Sequence, residues 1–127
     1  MRGAPVLLLT TTGRKSGKAR TQPLLYLTDG DALVVVASFG GSREHPAWFL
    51  NLEANPDVEV QVGPEARRTR ARVATQEERA RLWPRLVQMY RPYESYQRRT
   101  EREIPVVILV FSGEAGKHDR DSQRDPL

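Results

Sequence analysis

Short β-type segments joined by tight turns make up most of this sequence, and only two stretches have helical character. In chain order, the pattern predicts three strands, a short helix, two strands, a longer helix and a closing strand. A doubly wound parallel sheet needs a crossover helix between most neighbouring strands, and this chain has too few helices for that. The sequence therefore predicts a mainly β, α+β fold, in which a small antiparallel barrel carries two covering helical segments.

The strand predictions rest on apolar and β-branched runs that stop at Gly, Pro, Asn or Asp. The run LVVVA at residues 33–37 is continuously apolar, which indicates a strand buried on both faces. It follows Asp29-Gly30-Asp31, a tight-turn signal. The predicted strands cover residues 5–12, 21–28, 32–39, 58–62, 67–74 and 104–111.

The two helices are predicted from their start and stop signals. His45-Pro46-Ala47-Trp48 begins the short helix, because proline is well tolerated in a first turn, and this helix is expected to reach residue 55. Thr75 and Glu78 have the spacing of a capping box, which predicts the start of the longer helix. Pro92 is expected to end or bend that helix before a further helical turn that reaches residue 100.

Length and composition exclude several classes of protein. The 127 residues fit one domain, predicted over residues 1–111, followed by a polar tail over residues 112–127 that is expected to be flexible. The absence of cysteine excludes a disulfide scaffold and a Cys-ligated zinc site, and the two distant histidines give no support to any other metal site. No apolar run approaches the ~20 residues that cross a bilayer, and no signal peptide is visible, so we expect a cytoplasmic protein.

The chain is basic, with a formal net charge of +4 and a pI of about 9.8, which favours an anionic partner without identifying it. One short stretch contains four cations and no acid: Arg14, Lys15, Lys18 and Arg20. A later group alternates with glutamates, which is typical of an ordinary solvated helix end: Arg98, Arg99 and Arg102. Of these two groups, only the first is therefore a candidate for ligand binding.

The basic stretch has glycine at positions 13 and 17, so its backbone can turn sharply and present N–H groups to an anion. Four cations so close together suit several phosphate or carboxylate charges. The stretch is not a phosphate-binding P-loop, because it lacks the glycine and lysine spacing of that motif and no helix follows. On the residues alone, a solvated basic turn explains it equally well.

Two further segments have the residue types of a binding site. Ser38 stands at the end of the predicted buried strand and is followed by paired glycines, which would let a flat ligand approach the backbone. Tyr90, Tyr93 and Tyr96 lie three residues apart and would line one face of a continuous helix. Both features also have a structural explanation, since paired glycines make turns and aromatic stripes usually belong to cores.

Several longer motifs are more specific when they are taken together. They are LTTTGRKSGKARTQPLLY (9–26), ASFGG (37–41), HPAWFLNL (45–52), ANP (54–56) and IPV (104–106), with the tyrosine series. In combination they resemble the deazaflavin-dependent nitroreductase family of actinobacterial F420-dependent oxidoreductases, over about residues 5–111. The resemblance implies a split β-barrel, the FMN-binding-like fold, and the cofactor coenzyme F420, a deazaflavin whose tail carries a phosphodiester and several glutamates.

The resemblance also implies a set of site residues. The anionic tail of F420 would be neutralised by Arg14, Lys15, Lys18 and Arg20. The deazaflavin ring would lie along Pro23, Leu24, Leu25, Val36, Ala37 and Ser38, with Trp48 and Asn51 at the border of the pocket. The candidate catalytic residues are Ser38, Tyr90, Tyr93 and Tyr96, since the tyrosines match the substrate-side tyrosines of the family. Leu25 replaces a tyrosine of the nitroimidazole-reducing relatives, so drug activation is not implied.

The activity implied is transfer of a hydride from reduced F420 to an electron-poor conjugated substrate, such as an enone, a quinone or a nitro compound. A tyrosine, or a water held by Ser38, would supply the proton. An FMN-binding split-barrel protein and a non-catalytic F420 carrier remain alternatives. A nucleic-acid-binding module is the weakest alternative, because the sequence has neither an RNP-type strand signature nor a helix-turn-helix.

The expected partner is therefore a small hydrophobic molecule. We expect no nucleic-acid partner. Relatives commonly begin with a helical segment that this sequence lacks, so we expect no membrane association. A homodimer is compatible with the resemblance.

Overall fold

The computed structural model describes residues 5–114, which form one antiparallel sheet of seven strands with three helices. The strands are β1 (Val6–Thr12), β2 (Ala19–Leu25), β3 (Leu27–Asp29), β4 (Ala32–Val36), β5 (Asp57–Val62), β6 (Glu65–Val73) and β7 (Val106–Glu114). The helices are α1 (Ala47–Ala54), α2 (Gln76–Met89) and α3 (Pro92–Arg99). The predicted mainly β, α+β architecture is confirmed.

The order of the strands explains how the sheet closes on itself. Hydrogen-bonded neighbours run β2-β1-β5-β6-β7-β4-β3, so β2 and β3 occupy the two edges. These edge strands are consecutive in the chain and are separated only by Tyr26, whose backbone N–H donates to the carbonyl of Pro5 over 3.1 Å. Because one short link joins both edges, the sheet has to curl into a barrel. The single strand predicted over residues 21–28 is therefore wrong: the chain passes from one edge to the other within it.

Two apolar cores lie on the two faces of the sheet. The inner core fills the barrel and includes Leu9, Val35 and Leu109. The outer core lies between the sheet and helices α2 and α3, and it includes Val34 and Leu86. Burial of a side chain of this size contributes about 1.5–3 kcal/mol. Neighbouring residues of β4 belong to different cores, so this strand is buried on both faces, as the sequence predicts.

The capping box predicted at the start of α2 is present. Thr75 Oγ1 accepts a hydrogen bond from the Glu78 N–H over 3.2 Å, and the Glu78 carboxylate accepts one from the Thr75 N–H over 2.9 Å. The helix continues through Pro84 and ends at Met89, and Pro92 begins α3. The predicted break near Pro92 is confirmed.

Two further predicted strand ends are each wrong by three residues. The strand predicted over residues 32–39 ends at Val36, because Phe39, Gly40 and Gly41 have positive φ angles of 46°, 63° and 82° that a strand does not allow. The closing strand, predicted to stop at residue 111, continues to Glu114. The remainder of the predicted flexible tail, residues 115–127, lies outside the described residues.

Within residues 5–114, no helix combines the length and the apolar composition that crossing a bilayer requires.

Candidate functional site

Two adjoining depressions lie beside β2 and the start of α1. The main cleft, about 660 Å³, is lined by residues 22–25 of β2, by Val36 and residues 38–40, by residues 46–48, and by Tyr90, Tyr93 and Tyr96. The basic channel, about 270 Å³, is lined by residues 13–16, Arg20, Gln22, Ala47, Trp48 and Asn51. Gln22, Ala47 and Trp48 line both spaces, so the main cleft and the basic channel form one continuous groove.

The loop between β1 and β2 is held in place by Asn51 of α1. Within the loop, the Gly13 N–H donates to the Lys18 carbonyl and the Gly17 N–H donates to the Gly13 carbonyl, both over 2.8 Å. The buried side chain of Asn51 accepts a hydrogen bond from the Arg14 N–H and donates one to Thr11 Oγ1, each over 3.1 Å. The helix thereby sets where the cations of the loop stand.

Three of the four predicted tail-binding cations line the basic channel: Arg14, Lys15 and Arg20. Lys18 is exposed in the same loop but does not line the channel. No carboxylate within residues 5–114 forms an ion pair with any of these four side chains, whereas several arginines of β6 and α2 are paired with Asp or Glu. Closely spaced cations without counterions create a positive field that attracts a polyanion.

The three tyrosines come together in the main cleft although they belong to different helices. Tyr90 caps the C-terminus of α2, while Tyr93 and Tyr96 lie on α3. The ring centroids are 5.0 Å apart for Tyr90 and Tyr93 and 6.4 Å apart for the other two pairs. The hydroxyl oxygens of Tyr90 and Tyr96 are 3.5 Å apart. The helix break, rather than a continuous helical face, produces this cluster.

The pKa values of two of these tyrosines are raised. Burial, with a smaller effect of Tyr90 and Tyr96, raises the pKa of Tyr93 to about 12. The hydrogen bond with Tyr96, with a smaller effect of burial, raises the pKa of Tyr90. Both hydroxyls are therefore protonated at neutral pH, and the cluster can act as a proton donor.

The chain after β4 forms a further wall of the main cleft. Ser38 lines the cleft, and so does Phe39, whose side chain is exposed. Gly41 is buried against α3, where an added Cβ would lie 3.0 Å from the Cα and the carbonyl oxygen of Tyr96. Only glycine permits this close approach, so the paired glycines have a packing role as well as a turn role.

Ala37 differs from the other predicted ring contacts. Its side chain is fully buried in the inner core and does not line the main cleft. Its backbone groups are also engaged, since the N–H donates to the Pro105 carbonyl over 3.0 Å and the carbonyl accepts from Arg102. A separate groove of about 490 Å³, lined in part by Thr10, Asp57 and Ser112, contains none of the predicted site residues.

The structure adds Arg102, which the sequence analysis placed on a solvated helix end; that prediction is wrong. The half-buried guanidinium donates to the carbonyls of Ala37, Ser38 and Ser42 over 3.3, 2.9 and 2.8 Å. It also lies 3.0 Å from Nδ1 of His45. Alternating charges around Arg102 hide this role in the sequence, because its partners are backbone carbonyls about 60 residues away.

Burial and Arg102 both favour the neutral form of His45. The guanidinium can only donate, so Nδ1 of His45 has to accept and the imidazole is neutral in this arrangement. Burial, followed by the charge of Arg102, lowers the pKa of His45, and Glu53 opposes this effect. The His45 ring also packs against Phe49, with ring centroids 4.7 Å apart. His45 therefore has a structural role at the start of α1.

A family model described as F420H(2)-dependent quinone reductase matches residues 1–110 of the chain. The chain belongs to this family. The match includes every residue of the main cleft and of the basic channel. The predicted resemblance to an F420-dependent reductase family is therefore confirmed.

Two curated relatives from Mycobacterium tuberculosis are similar to this member of the quinone reductase family. The chain is 52% identical over 105 residues to a putative F420H(2)-dependent quinone reductase, with 83% of this chain and 88% of the relative covered. It is 46% identical over 109 residues to an F420H(2)-dependent quinone reductase, with 84% of this chain and 73% of the relative covered.

Solved structures show the same fold. An F420-H2 dependent reductase, FDR-A, superposes with a TM-score of 0.76 at 44% identity, covering 83% of this chain and 93% of that one. A second structure at 44% identity and a TM-score of 0.76, described as a domain-swapped dimer, covers 83% of this chain and 79% of that chain. HutZ of Vibrio cholerae, a heme storage protein, shares only the fold, at 11% identity and a TM-score of 0.65 over 87% of this chain and 84% of that chain. The predicted split β-barrel is confirmed.

Proposed function

We propose that this protein is an F420H2-dependent quinone reductase, an oxidoreductase that uses coenzyme F420. One observation carries the proposal: an apolar cleft continues directly into a channel lined by cations without counterions among residues 5–114. Membership of the quinone reductase family supports it independently.

The groove suits the two parts of F420 in shape and charge. The main cleft is large enough for a tricyclic ring, and β2 supplies an apolar lining through Pro23, Leu24 and Leu25. The basic channel suits a phosphodiester and a chain of glutamates. In F420 the ring and the tail are covalently joined. The groove is continuous in the same way, because Gln22 and Trp48 line both the main cleft and the basic channel. The short monophosphate tail of FMN would use only part of the channel.

The residues divide into three roles in this proposal. Contacts to the tail come from Arg14, Lys15 and Arg20, with Lys18 adding charge nearby. The ring is bordered by Pro23, Leu24, Leu25, Val36, Ser38 and Trp48. Asn51 fixes the loop that carries the cations, and Ala37 supports the wall from inside the core without touching the ring.

Reduced F420, when held by these residues, would supply a hydride from C5 of its ring. Reduction of a quinone to its quinol takes up this hydride together with one proton. Raised pKa values keep the hydroxyls of Tyr90 and Tyr93 protonated at neutral pH. Both lie with Tyr96 beside the proposed acceptor position, and a tyrosine hydroxyl can donate to the quinone oxygen. Tyr90 and Tyr96 are half-buried, so water can return the proton. The apolar walls hold the acceptor and limit access of water to the ring.

The substrate class follows from the same chemistry. A hydride acceptor in this cleft has to be small, flat and electron-poor. The negative charge that it gains with the hydride has to be carried by an oxygen that the tyrosines can protonate. Quinones meet these requirements, and enones and nitro compounds meet them as further acceptors.

We also propose that the protein forms a homodimer. The support is a solved structure, 44% identical to this chain, that is described as a domain-swapped dimer. Light scattering of the purified protein distinguishes a dimer from a monomer of 14.4 kDa.

Single-turnover kinetics test the proposed activity. Protein loaded with reduced F420 is mixed with menadione, cyclohexenone or a nitroarene, and the return of the oxidised-cofactor absorbance is followed. We expect saturable oxidation by menadione, faster than in a mixture without protein. Binding of F420 without oxidation by any acceptor would instead support the non-catalytic carrier.

A further inference from the structure

A strained turn forms part of the wall of the main cleft. Ser38 precedes three consecutive residues with positive φ, and the turn ends at Ser42; we call residues 38–42 the 38–42 turn. Gly40 and Gly41 adopt such angles freely, but Phe39 is at φ 46°, which is unfavourable for a residue with a Cβ. Phe39 is nevertheless 57% exposed in the lining of the main cleft, so core packing does not hold it there. Within the turn, the Gly41 N–H donates to the Ser38 carbonyl over 2.9 Å and the Ser42 N–H donates to the Phe39 carbonyl over 3.1 Å. A side chain from outside the turn adds further hydrogen bonds.

Arg102 binds both ends of this turn. Its Nη2 donates to the Ser38 carbonyl over 2.9 Å, and its Nε donates to the Ser42 carbonyl over 2.8 Å. The remaining Nη1 points to the imidazole of His45, two residues before α1 begins. A planar guanidinium can reach three such acceptors at once, and a lysine ammonium cannot span them in the same geometry.

The other side of the turn rests on α3. Gly41 lies so close to Tyr96 that a Cβ would be 3.0 Å from its Cα and carbonyl oxygen. Arg102 is itself fixed by α3, because Gln97 Nε2 donates to its carbonyl over 2.8 Å. The 38–42 turn is thus held between the guanidinium and the helix that carries Tyr93 and Tyr96.

The charge of Arg102 is not used in an ion pair within residues 5–114. A half-buried guanidinium that meets only carbonyls and a neutral imidazole forgoes the attraction of a carboxylate, and burial lowers its pKa. The contacts of Arg102 therefore fix the relative positions of the turn and of His45 and do not pair charges.

We propose that Arg102 is a positioning residue for the reductase site: by tying Ser38 to Ser42 and contacting His45, it fixes the cleft wall made by Ser38 and Phe39 relative to the start of α1. The molecules that would contact this wall are the cofactor and the acceptor of the proposed function. The inference rests on that function. The positioning itself is a property of the protein without cofactor.

Amide hydrogen exchange of the cofactor-free protein tests the positioning directly. The variants are Arg102→Met, which keeps the aliphatic stem, and Arg102→Lys, which keeps the charge. Arg98→Met is the matched control, because Arg98 is an exposed residue of α3 whose ion pair with Glu94 spans 3.8 Å. We expect exchange in the peptide covering residues 38–45 to rise by at least about tenfold in Arg102→Met, less in Arg102→Lys, and not in Arg98→Met. Unchanged exchange in Arg102→Met overturns the proposal.

A variant that loosens the whole molecule is interpreted through the milder change. If Arg102→Met raises exchange in β4 and β7 as much as in the turn, Arg102→Lys decides the test. That variant has to raise exchange mainly in residues 38–45, and a uniform rise across the protein overturns the proposal.

Steady-state kinetics distinguish positioning of the cleft wall from a purely structural role, which would leave the KM for the acceptor unchanged. For a folded Arg102→Lys or Arg102→Met variant, we expect the KM for menadione to rise by about tenfold with a smaller change in kcat, because the wall is displaced while the proton donors remain. A KM equal to that of Arg98→Met contradicts the proposal. Failure of the wild type to bind or oxidise reduced F420 would instead remove the proposed function and leave the exchange result standing.

Discussion

At the scale of single residues, the cations of the basic channel make the most direct prediction. Lys15→Ala and Arg20→Ala each remove a cation that lines the channel and has no counterion among residues 5–114. We expect each change to raise the Kd of F420 by about tenfold, through loss of a charge-assisted contact. Fluorescence titration at low and moderate salt measures the effect, which should shrink as salt is added.

Two other basic residues serve as controls for this experiment. Arg70→Ala removes a cation that is paired with Asp57 on the exposed face of β6, so it should leave the Kd unchanged. Lys18→Ala should have a smaller effect than Lys15→Ala, because Lys18 does not line the channel. Equal effects of Arg70→Ala and Lys15→Ala would mean that only net charge matters.

The tyrosine cluster gives a second prediction at this scale. Tyr90→Phe keeps the ring contacts and removes one hydroxyl of the Tyr90–Tyr96 pair. We expect kcat for menadione to fall by at least about tenfold while the Kd of F420 stays constant, because only a proton donor is lost. Tyr26→Phe, at the link between β2 and β3, is the control that should retain wild-type kcat. Unchanged kcat in all three of Tyr90→Phe, Tyr93→Phe and Tyr96→Phe would point to water as the donor.

His45 gives a pH-dependent prediction. Burial, followed by the charge of Arg102, lowers its pKa below the ordinary 6.5, so the folded protein binds this proton less readily than the unfolded chain. The full stability is therefore present above pH 6.5 and falls as the pH drops through that value. His45→Asn keeps an acceptor but cannot titrate, so we expect its thermal midpoint to fall less between pH 7.5 and about 5.5 than that of the wild type.

The second histidine of the chain provides the matched control. His118 lies outside the described residues. His118→Asn should follow the pH dependence of the wild type. If His118→Asn reduces the pH dependence of the thermal midpoint and His45→Asn does not, the assignment of this pH dependence to His45 is wrong.

At the scale of secondary-structure elements, the start of α2 is the best-defined local feature. Thr75→Ala removes the side-chain half of the capping box and should lower the free energy of unfolding by about 1 kcal/mol. Urea denaturation measures this loss. Gln88→Ala, at an exposed position of the same helix, should cost nothing, since alanine is the better helix former. A loss equally large in Gln88→Ala would show that α2 is limited by something other than its cap.

The same capping box is sensitive to acid. The hydrogen bond from Arg72, followed by that from the Thr75 N–H, lowers the pKa of Glu78 to about 2. The ionised form is therefore favoured in the folded protein, and this contribution is present above the ordinary value of 4.5 and lost as the pH falls toward 2.

Elements with local signals could be predicted from the sequence, and elements fixed by distant partners could not. The capping box, the break near Pro92 and the doubly buried β4 follow from short patterns. The division of residues 21–28 into β2 and β3 does not, because it depends on which distant strand each half pairs with. The early end of β4 was equally hidden, since Phe39 has a positive φ of 46° although it is not a glycine.

The candidate site divides in the same way. Arg14, Lys15 and Arg20 could be predicted because their cluster is contiguous in sequence. Residues that line the main cleft, such as Leu24 and Trp48, were proposed as site residues only from the resemblance to a family. Arg102 was predicted neither from a local pattern nor from the resemblance. A single arginine among charged neighbours gives no indication that it binds carbonyls of a turn far away in the chain.

At the scale of the whole molecule, the split barrel places an apolar surface and a cationic surface side by side. The edge strand β2 supplies an apolar wall, the loop that precedes it supplies cations, and α1 contributes to both through Trp48. Helices α2 and α3 cover the outer face of β4 and β7 and bring the tyrosines to the same cleft. The continuity of cleft and channel is thus a consequence of the strand order.

A side-by-side calorimetric titration of the purified protein with F420 and with FMN is the most direct test of that continuity. A ligand with a flat ring and a long polyanionic tail should fill the whole groove, so we predict clearly tighter binding of F420 than of FMN, with the difference lost in Lys15→Ala and Arg20→Ala combined. Equal or tighter binding of FMN, unaffected by those two substitutions, would contradict the assignment of the groove to F420.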